Sequence, residues 1–501
     1  MQAHKHAVEK IASSVQRYFS RREPFRIYHG STNSTRQTAY WRENTVDISP
    51  LSRVLEIDTK ARTALVEPNV PMDRLVESTT KHGLIPPVVM EFPGITAGGG
   101  FAGTGGESSS FKYGYFNDTV NSVEIVLGNG DIVTASDKEN SDLFHGASGA
   151  AGSLGITTLL ELQLIQAKKY VKTTYHSVRS IPKAIEKVRE ETSNSEVDYV
   201  DGILFSKEHG VVITGCLTDD PPHTGHVQRF SGPGDPWYYL HVKEKTLRSV
   251  EPVTEHIPLA EYLFRYDRGG FWVGASAFEY FKLPFNKFTR WCLDDFLHTR
   301  MLYRALHASR QSKKYVVQDL ALPFSTAEEF INYTIDSFDI WPLWLCPLLQ
   351  TRLPTLHPRI PETEADHRTL KPMLNVGLWG NGPAQYDRFV AKNRELERKV
   401  RELGGMKWLY AHTYYNEDEF WDMYDRQWYD GLRRKYMAES LPSLWHKVKV
   451  DPIAQKQEED SSWRNWVLQF WPLGGIWGVL KAIKSGEYLV ARNSTWKARE
   501  G

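Results

Sequence analysis

The sequence predicts an α+β protein in which antiparallel strand pairs are combined with amphipathic helices. Two observations support this class. Short β-rich runs joined by polar turns occupy the first half, and apolar residues at helical spacing occur in both halves. With 501 residues the chain is long enough for two packed domains. Its 41% apolar and 24% charged residues are typical of a folded globular protein.

Charge and cysteine content narrow the function classes. Lys+Arg and Asp+Glu both number 61, and a net charge of zero disfavours a nucleic-acid-binding protein. Cys216, Cys292 and Cys346 are widely spaced, which fits neither a disulfide framework nor a zinc site. We therefore expect a reducing compartment and no metal centre. Residues 1–22 are polar with apolar positions at helical spacing, so they predict an amphipathic helix rather than a signal peptide.

The first half contains the clearest strand signals. Residues 54–68 read as strand, polar turn and strand, and residues 120–136 read as a hairpin around Gly128-Asn129-Gly130. Residues 72–83 predict a helix that ends at a glycine. Residues 155–165 predict a further strand. These elements predict antiparallel pairing rather than regular βαβ alternation.

The second half mixes both types of element and is rich in tryptophan. Residues 210–217 and 374–380 predict strands, whereas residues 387–405 and 417–436 each predict one helix. Of the 16 tryptophans, 15 follow residue 230, which suggests a heavy core or a pocket for a bulky apolar ligand. The predicted domains are residues 1–168 and 169–440, followed by a C-terminal tail, residues 441–501.

The glycine-rich segment, residues 93–114, is the most informative part of the chain. Gly98-x-Gly100-x-x-Gly103 matches the letters of a dinucleotide-binding fingerprint, but it follows a Pro-Gly and leads into three serines rather than joining a strand to a helix. Backbone N–H groups and hydroxyls that hold a phosphate or pyrophosphate are favoured instead. A glycine-rich surface loop without a ligand is the alternative. The earlier segment 28–36 has the same chemistry.

The order of these motifs resembles the FAD domain of vanillyl-alcohol-oxidase-type (PCMH-type) flavoproteins. More specifically, it resembles the Δ24-sterol reductase family. Seven segments in order carry that resemblance: residues 103–116, 139–146, 167–172, 235–242, 315–323, 341–347 and 409–425. It implies a two-domain flavoprotein with an FAD-binding domain and a mixed α/β cap domain for the substrate. The implied activity is NADPH-dependent reduction of the C24=C25 double bond of a sterol.

The resemblance also implies which residues contact FAD. They are Gly30, Ser31, Thr32, Asn33, Ser34, Gly98, Gly99, Gly100, Gly103, Thr104, Gly105, Gly106, Ser109, Tyr113, Gly114, Gly155 and Ile156. Lys112, which follows the glycine loop, is a further candidate for contact with a phosphate or the flavin, and a solvated surface lysine is the alternative. Relatives that tether FAD use a histidine in the first loop, after the glycine. Here His29 precedes Gly30 and aligns with a non-attaching position, so we expect non-covalent FAD.

Reduction of an unactivated alkene requires a proton and a hydride. Because no carbonyl group stabilises a carbanion, we infer protonation at C24 and arrival of hydride at C25 from the flavin. The acid candidates are Asp319, Tyr410 and His412, with Glu419 ranked below them. Each also has a structural alternative: backbone hydrogen bonding for Asp319, core packing for Tyr410, bridging of packed elements for His412, and a place in the first helical turn for Glu419.

Two other function classes remain open at this point. The wider superfamily supports an O2-using oxidase of alcohols or sugars, and a non-catalytic flavin-binding membrane scaffold is the non-enzyme alternative. Residues 463–484 are apolar and rich in tryptophan, but too short and interrupted to span a bilayer. They predict an interfacial membrane segment, with a helix packed on the cap domain as the alternative. Localisation is expected to be intracellular, either cytoplasmic or at the endoplasmic reticulum membrane. The sequence does not indicate an oligomeric state.

Overall fold

The computed structural model describes residues 1–30, 44–222, 225–309, 311–360, 371–453, 468 and 470–497. The strands, in chain order, are β1 (Arg26–Tyr28), β2 (Thr45–Asp47), β3 (Val54–Asp58), β4 (Thr63–Val66), β5 (Leu84–Ile85), β6 (Val120–Val126), β7 (Ile132–Ser136), β8 (Ile156–Gln163), β9 (Ile165–Gln166), β10 (Tyr170–Val178), β11 (Tyr199–Ser206), β12 (His209–Thr218), β13 (Val253–Pro258), β14 (Tyr315–Pro323), β15 (Leu343–Leu348), β16 (Met373–Asn381) and β17 (Met406–Lys407).

The α-helices lie on and between the sheets that these strands form. They are Gln2–Ser20, Met72–Thr80, Ala97–Ala102, Ser110–Tyr113, Ser141–Ala147, Ile181–Thr192, Tyr238–Arg248, Leu259–Leu263, Val273–Phe281, Lys287–Cys292, Thr299–Ser309, Ala327–Phe338, Tyr386–Glu402, Glu417–Trp421, Arg426–Lys435, Leu444–Val448, Leu473–Ser485 and Glu487–Asn493. In the described part of the chain, no helix is both long enough and apolar enough to cross a bilayer.

The first sheet has five strands in the order β3-β4-β8-β6-β7, and every neighbouring pair is antiparallel. The two hairpins that the sequence predicts are present as β3–β4 and β6–β7. Gly130 lies in the β6–β7 turn with φ of +93°, a conformation that glycine adopts without steric cost. The N-terminal helix Gln2–Ser20 packs near this sheet through Val8, Ile11 and Val15. The predicted α+β class with antiparallel pairing is therefore confirmed.

The second sheet has eight strands in the order β13-β10-β12-β11-β15-β16-β14-β17. Its central strands β14, β15 and β16 are buried over nearly their whole length, because both faces are covered. Helices Ile181–Thr192, Ala327–Phe338 and Tyr386–Glu402 pack on one face, and an aromatic cluster packs on the other. The chain passes from the first sheet to the second between Gln163 and Tyr170. The domain boundary at residue 168 itself stays a prediction.

Two sequence-based predictions of local structure are wrong. Residues 417–436 form two helices rather than one, Glu417–Trp421 and Arg426–Lys435. The break occurs because the Asp425 carboxylate accepts a hydrogen bond from the Trp428 N–H at 2.8 Å and so caps a new helix. The glycine-rich segment is also partly helical, over Ala97–Ala102. Thr96 caps that short helix, and no strand leads into it directly.

Candidate active site

A cavity of about 1210 Å³ lies between the two sheets. Its walls include the glycine segment 98–106 and the turn at residues 151–157 on one side, and strands β14, β15 and β16 on the other. Helices Val273–Phe281, Thr299–Ser309 and Leu473–Ser485 complete it. The volume exceeds the roughly 300–1000 Å³ that is usual for one drug-sized ligand. The cavity is therefore larger than one drug-sized ligand requires.

Backbone rather than side chains forms the glycine wall of the cavity. A Cβ at Gly98 would lie 2.6 Å from Pro68 Cβ, and one at Gly100 would lie 2.6 Å from Met90 Cε. These glycines therefore allow the short helix to lie directly against the neighbouring chain. Gly99 differs, because within 4 Å a Cβ there would meet Thr96 Oγ1 alone, at 3.1 Å. Since Gly99 is exposed and lines the cavity, its missing side chain leaves open cavity space.

Backbone donors are available in this wall. The N–H groups of Thr104 and Gly106 make no hydrogen bond to any described residue. Thr104 has φ of +58°, so consecutive peptide groups here do not follow a helix or strand direction. Such N–H groups on irregular backbone form concave binding sites for ligand oxygens.

Asp319 is the central titratable group on the opposite wall. Tyr410 Oη donates a hydrogen bond to Asp319 Oδ2 at 2.5 Å, and Asn375 Nδ2 donates to Oδ1 at 3.0 Å. Burial raises the pKa of Asp319 to about 6, although both hydrogen bonds lower it. Burial, followed by the neighbouring Asp319 charge, raises the pKa of Tyr410 well above its usual value. Tyr410 therefore keeps its proton near neutral pH, whereas Asp319 gains or loses a proton at a pH close to neutral.

Several contacts fix the position of this acid pair. Asp319 lies on β14 opposite Gly377 of β16, in the fully buried part of the second sheet. The chain just before Tyr410 is held by Trp408. The Trp408 backbone N–H donates to Asp319 O at 3.0 Å, and its Nε1 donates to Thr104 O at 2.9 Å. Lys407, the preceding residue, forms a buried ion pair between its Nζ and Glu397 Oε1 at 2.9 Å. Trp408 therefore connects the strand that carries Asp319 to the glycine wall.

Glu91 is a second acidic group of the cavity, and the sequence reasoning missed it. It lines the cavity, and its Oε1 atom has no hydrogen-bond partner among the described residues. Burial, with the charge of Glu107 adding to it, raises the pKa of Glu91 well above its usual value. Burial therefore favours the neutral form of this carboxyl group at the cavity wall. Its one sequence signal is an isolated acid in the apolar run Val-Val-Met-Glu-Phe, which matches no motif.

Eleven of the sequence-predicted site residues line this cavity. They are Gly98, Gly99, Gly100, Gly103, Thr104, Gly105, Gly106, Gly155, Ile156, Asp319 and Tyr410. His29 also lines it, and burial, with the charge of Lys447, lowers the pKa of its imidazole. Gly30 follows directly, with φ of +82°. The predicted residues Ser31, Thr32, Asn33 and Ser34 lie outside the described residues.

The structure places four other predicted cofactor contacts away from the cavity wall. Ser109 Oγ donates to Pro87 O at 2.7 Å, and Lys112 Nζ forms an ion pair with Asp198 Oδ1 at 2.8 Å. Tyr113 and Gly114 lie at the end of the same short helix. Because Ser109 and Lys112 already have protein partners, their assignment to the cofactor stays a prediction without geometric support.

The other two acid candidates, His412 and Glu419, lie away from the cavity and make structural contacts. His412 is buried against Phe389 and Tyr414 and is not among the residues that line the cavity. Its carbonyl oxygen accepts hydrogen bonds from Lys407 Nζ and Gln318 Nε2. Glu419 forms a capping box, in which its carboxylate accepts from Asn416 N–H at 2.8 Å. This is the helix-start role that was the structural alternative for Glu419.

Comparison with known protein families identifies the first part of the chain. Residues 5–136 match the family described as FAD binding domain. The structure fits that assignment, because the glycine wall offers free backbone N–H groups, and the space beside Gly99 is one that a side chain would fill. Gly98–Gly106 and the turn at Gly155 and Ile156 would hold the cofactor. The protein is an FAD-dependent oxidoreductase.

Replacement of Gly99 by leucine tests the glycine wall. We expect Gly99→Leu to weaken FAD binding by roughly tenfold or more, equivalent to about 1.4 kcal/mol, because the side chain would enter the cavity. Flavin absorbance per polypeptide after reconstitution measures this loss. The control is Gly431→Leu, since Gly431 is also helical and a Cβ there would meet no atom within 4 Å. Equal flavin content in both variants would contradict the placement.

Acid precipitation tests the mode of FAD attachment. We expect the flavin to appear in the supernatant, because the histidine of this segment precedes Gly30 rather than following it. His29→Ala is the matched control, since the imidazole of His29 lines the cavity. Flavin that stays with the precipitated wild type, but not with His29→Ala, would show a covalent link through His29.

Several curated proteins are similar to this chain over most of its length. The Delta(24)-sterol reductase of Homo sapiens is 31% identical over 404 residues, which cover 79% of this chain and 76% of the human protein. The Delta(24)-sterol reductase of Pisum sativum is 28% identical over 458 residues, or 83% and 78% of the two chains. Cytokinin dehydrogenase 4 of Oryza sativa subsp. japonica matches 34% of this chain at 29% identity. The long matches extend well beyond the FAD-binding part, and the chain belongs to the Delta(24)-sterol reductase family.

Proposed function

We propose that this protein is a Δ24-sterol reductase, which reduces the C24=C25 double bond of a sterol side chain with NADPH as the reductant. The observation that carries the proposal is the buried Asp319–Tyr410 pair, which faces the glycine wall across a largely apolar cavity. An acid of this kind suits protonation of an alkene. An apolar cavity of this volume suits a sterol beside a cofactor.

The proton transfer follows from the surroundings of Asp319. A protonated Asp319 carboxyl group gives its proton to C24, the new C–H bond forms there, and positive charge develops at C25. Hydrogen bonds from Tyr410 and Asn375 stabilise the carboxylate that remains. Bound FAD, once reduced by NADPH, would supply the hydride that completes the reduction at C25. In this scheme Asp319 is the acid, and Tyr410 and Asn375 are positioning residues.

Aromatic side chains on the sheet side of the cavity support the same chemistry. The rings of Trp344 and Trp379 lie 5.8 Å apart, and Phe271 lies 4.5 Å from Trp379. All three line the cavity. Their apolar surface suits a sterol side chain and excludes water, and their electron-rich faces favour a developing cation.

The proposal includes NADPH binding in the same cavity. Every neighbouring strand pair in both large sheets is antiparallel, and the parallel pair of β1 and β2 is only three residues long. The described residues therefore contain no parallel sheet large enough for a separate nucleotide domain. We infer that NADPH reduces the cofactor first and leaves before the sterol enters. NADPH and sterol should therefore compete for the free protein.

Anaerobic stopped-flow spectroscopy tests the function. NADPH is expected to bleach the flavin of the holoprotein, and a sterol with a C24=C25 double bond is expected to restore its colour. The same sterol with a saturated side chain is the control and should leave the flavin reduced. Reduction by an alcohol or sugar, with peroxide formed in air, would instead indicate an oxidase. Bound FAD that no reductant bleaches would indicate a non-catalytic role.

The pH profile tests the role of Asp319. An acid must be protonated to act, so sterol-dependent reoxidation should fall roughly tenfold per pH unit above the Asp319 pKa of about 6. Asp319→Asn should slow this step by roughly 10²-fold or more and remove the dependence. Bleaching by NADPH should be unchanged in this variant.

Tyr410→Phe is the matched variant for the pair. The tyrosine hydrogen bond lowers the pKa of Asp319, so its removal should raise that pKa and move the falling limb of the profile to higher pH. A slower rate with an unmoved limb would show that Tyr410 acts only through packing. A pH dependence that survives in Asp319→Asn would assign the proton to another group, and Glu91→Gln is then the next variant.

A further inference from the structure

The helix Leu473–Ser485 has its small residues inside and its large apolar residues outside. Its buried residues are Gly474, Gly475, Gly478 and Ala482. A Cβ at Gly478 would lie 2.6 Å from Ala305 O, so this side packs closely against helix Thr299–Ser309. The opposite side carries a stripe at helical spacing with exposed fractions of 38 to 55%: Leu473, Ile476, Leu480 and Ile483. This is the reverse of an ordinary surface helix.

The same stripe forms part of the mouth of the cavity. Ile476, Leu480 and Ile483 are exposed and also line the cavity, as does Leu283 from the neighbouring segment. Side chains with both properties mark the place where the cavity opens to the outside. An opening framed by apolar side chains admits an apolar molecule at a lower desolvation cost than a polar opening would.

We define the apolar rim as residues 280–293 and 470–486. The two segments are adjacent, since Trp471 Nε1 donates to Tyr280 O at 2.6 Å and the Lys282 ammonium lies 4.6 Å from the Trp471 ring. They hold ten of the 21 large exposed apolar side chains of the described residues: Leu283, Phe285, Phe288, Trp291, Phe470, Trp471, Leu473, Ile476, Leu480 and Ile483. Exposed apolar side chains are thus concentrated at the cavity mouth.

The charges of the apolar rim all have one sign. Its two segments contain five basic residues, namely Lys282, Lys287, Arg290, Lys481 and Lys484, and no Asp or Glu. The acids that directly flank the segments are Glu279, Asp294, Asp295 and Glu487. Three of these have arginine partners, since Asp294 pairs with Arg268, Asp295 with Arg492 and Glu487 with Arg304. Lys481 lies over the Trp477 ring at 4.9 Å. Apolar side chains with tryptophans and cations beside them fit the boundary between acyl chains and anionic headgroups. A second copy of this chain, which would bring the same positive charge, fits less well.

We propose that the apolar rim docks on an anionic lipid surface, so that the cavity opens towards the bilayer. The exposed stripe would enter the interfacial layer, and the five basic residues would contact headgroups. Delivery of a sterol through this mouth rests on the proposed function, whereas the lipid contact does not. Because vesicle binding requires no turnover, failure of one proposal is distinguishable from failure of the other.

Vesicle flotation of the full-length holoprotein tests the docking surface. We expect binding to phosphatidylcholine vesicles that contain phosphatidylserine, weaker binding to phosphatidylcholine alone, and a loss of roughly tenfold or more in Ile476→Glu/Leu480→Glu. Leu283→Glu, on the other segment of the rim, is a second variant with the same expected direction. Leu247→Glu is the matched control, because Leu247 is 57% exposed outside the rim.

Three results would overturn the proposal. They are no flotation of the wild type with either vesicle, equal flotation of the rim variants and the wild type, and equal loss in Leu247→Glu. Sedimentation velocity of the same proteins without lipid tests whether a second copy of the chain occupies this surface instead. A dimer that forms without lipid, and that the rim variants dissociate, would assign the surface to a second copy and contradict lipid docking.

Discussion

Burial of the Asp319 carboxyl group is the interaction on which the proposed chemistry of the cavity depends. An exposed aspartate has a pKa near 3.8, and hydrogen bonds from Tyr410 and Asn375 alone would lower it. The apolar wall outweighs both hydrogen bonds and raises the pKa to about 6. The same wall suits an apolar substrate. Affinity for the substrate and acidity near neutral pH therefore arise from one property, the exclusion of water.

Contacts between the two parts of the molecule fix the walls of this cavity relative to each other. Besides the Trp408 bond to Thr104, Arg300 forms a two-pronged ion pair with Asp73 at 2.6 and 3.0 Å. This pair joins helix Thr299–Ser309 to helix Met72–Thr80 of the FAD-binding part. Partly buried, bidentate pairs of this kind are geometrically specific. They hold the acid pair and the glycine wall on opposite sides of one enclosed space.

The sequence predicts local features well where a short-range cause is sufficient. The hairpin around Gly130 follows from turn chemistry, and the helix that begins at Met72 follows from apolar spacing. Both causes lie within a few residues of the element that they predict.

The prediction of a single helix over residues 417–436 is wrong because the apolar spacing continues through Asp425. The Asp425 carboxylate caps a new helix there, and apolar spacing alone does not reveal that cap. Asp319 and Tyr410 could be predicted as site residues because they lie in segments that resemble the family. That resemblance gives order along the chain, however, and not the direction of side chains. The assignment of Ser109 to the cofactor therefore stays a prediction, and in the structure the Ser109 hydroxyl donates to Pro87 O. Glu91 depends on tertiary burial alone, which no local pattern reports.

The walls of the cavity come from chain positions as distant as Arg26 and Ile483. During synthesis the FAD-binding part leaves the ribosome first, and domains generally begin to fold in that order. The helix Leu473–Ser485 leaves near the end, so a nascent chain holds the glycine segment but lacks one side of the enclosure. The wall of the cavity is therefore complete only after residues 473–485 have been translated and have packed against helix Thr299–Ser309. Binding of an apolar ligand across the whole cavity would thus come later in synthesis than folding of the glycine segment.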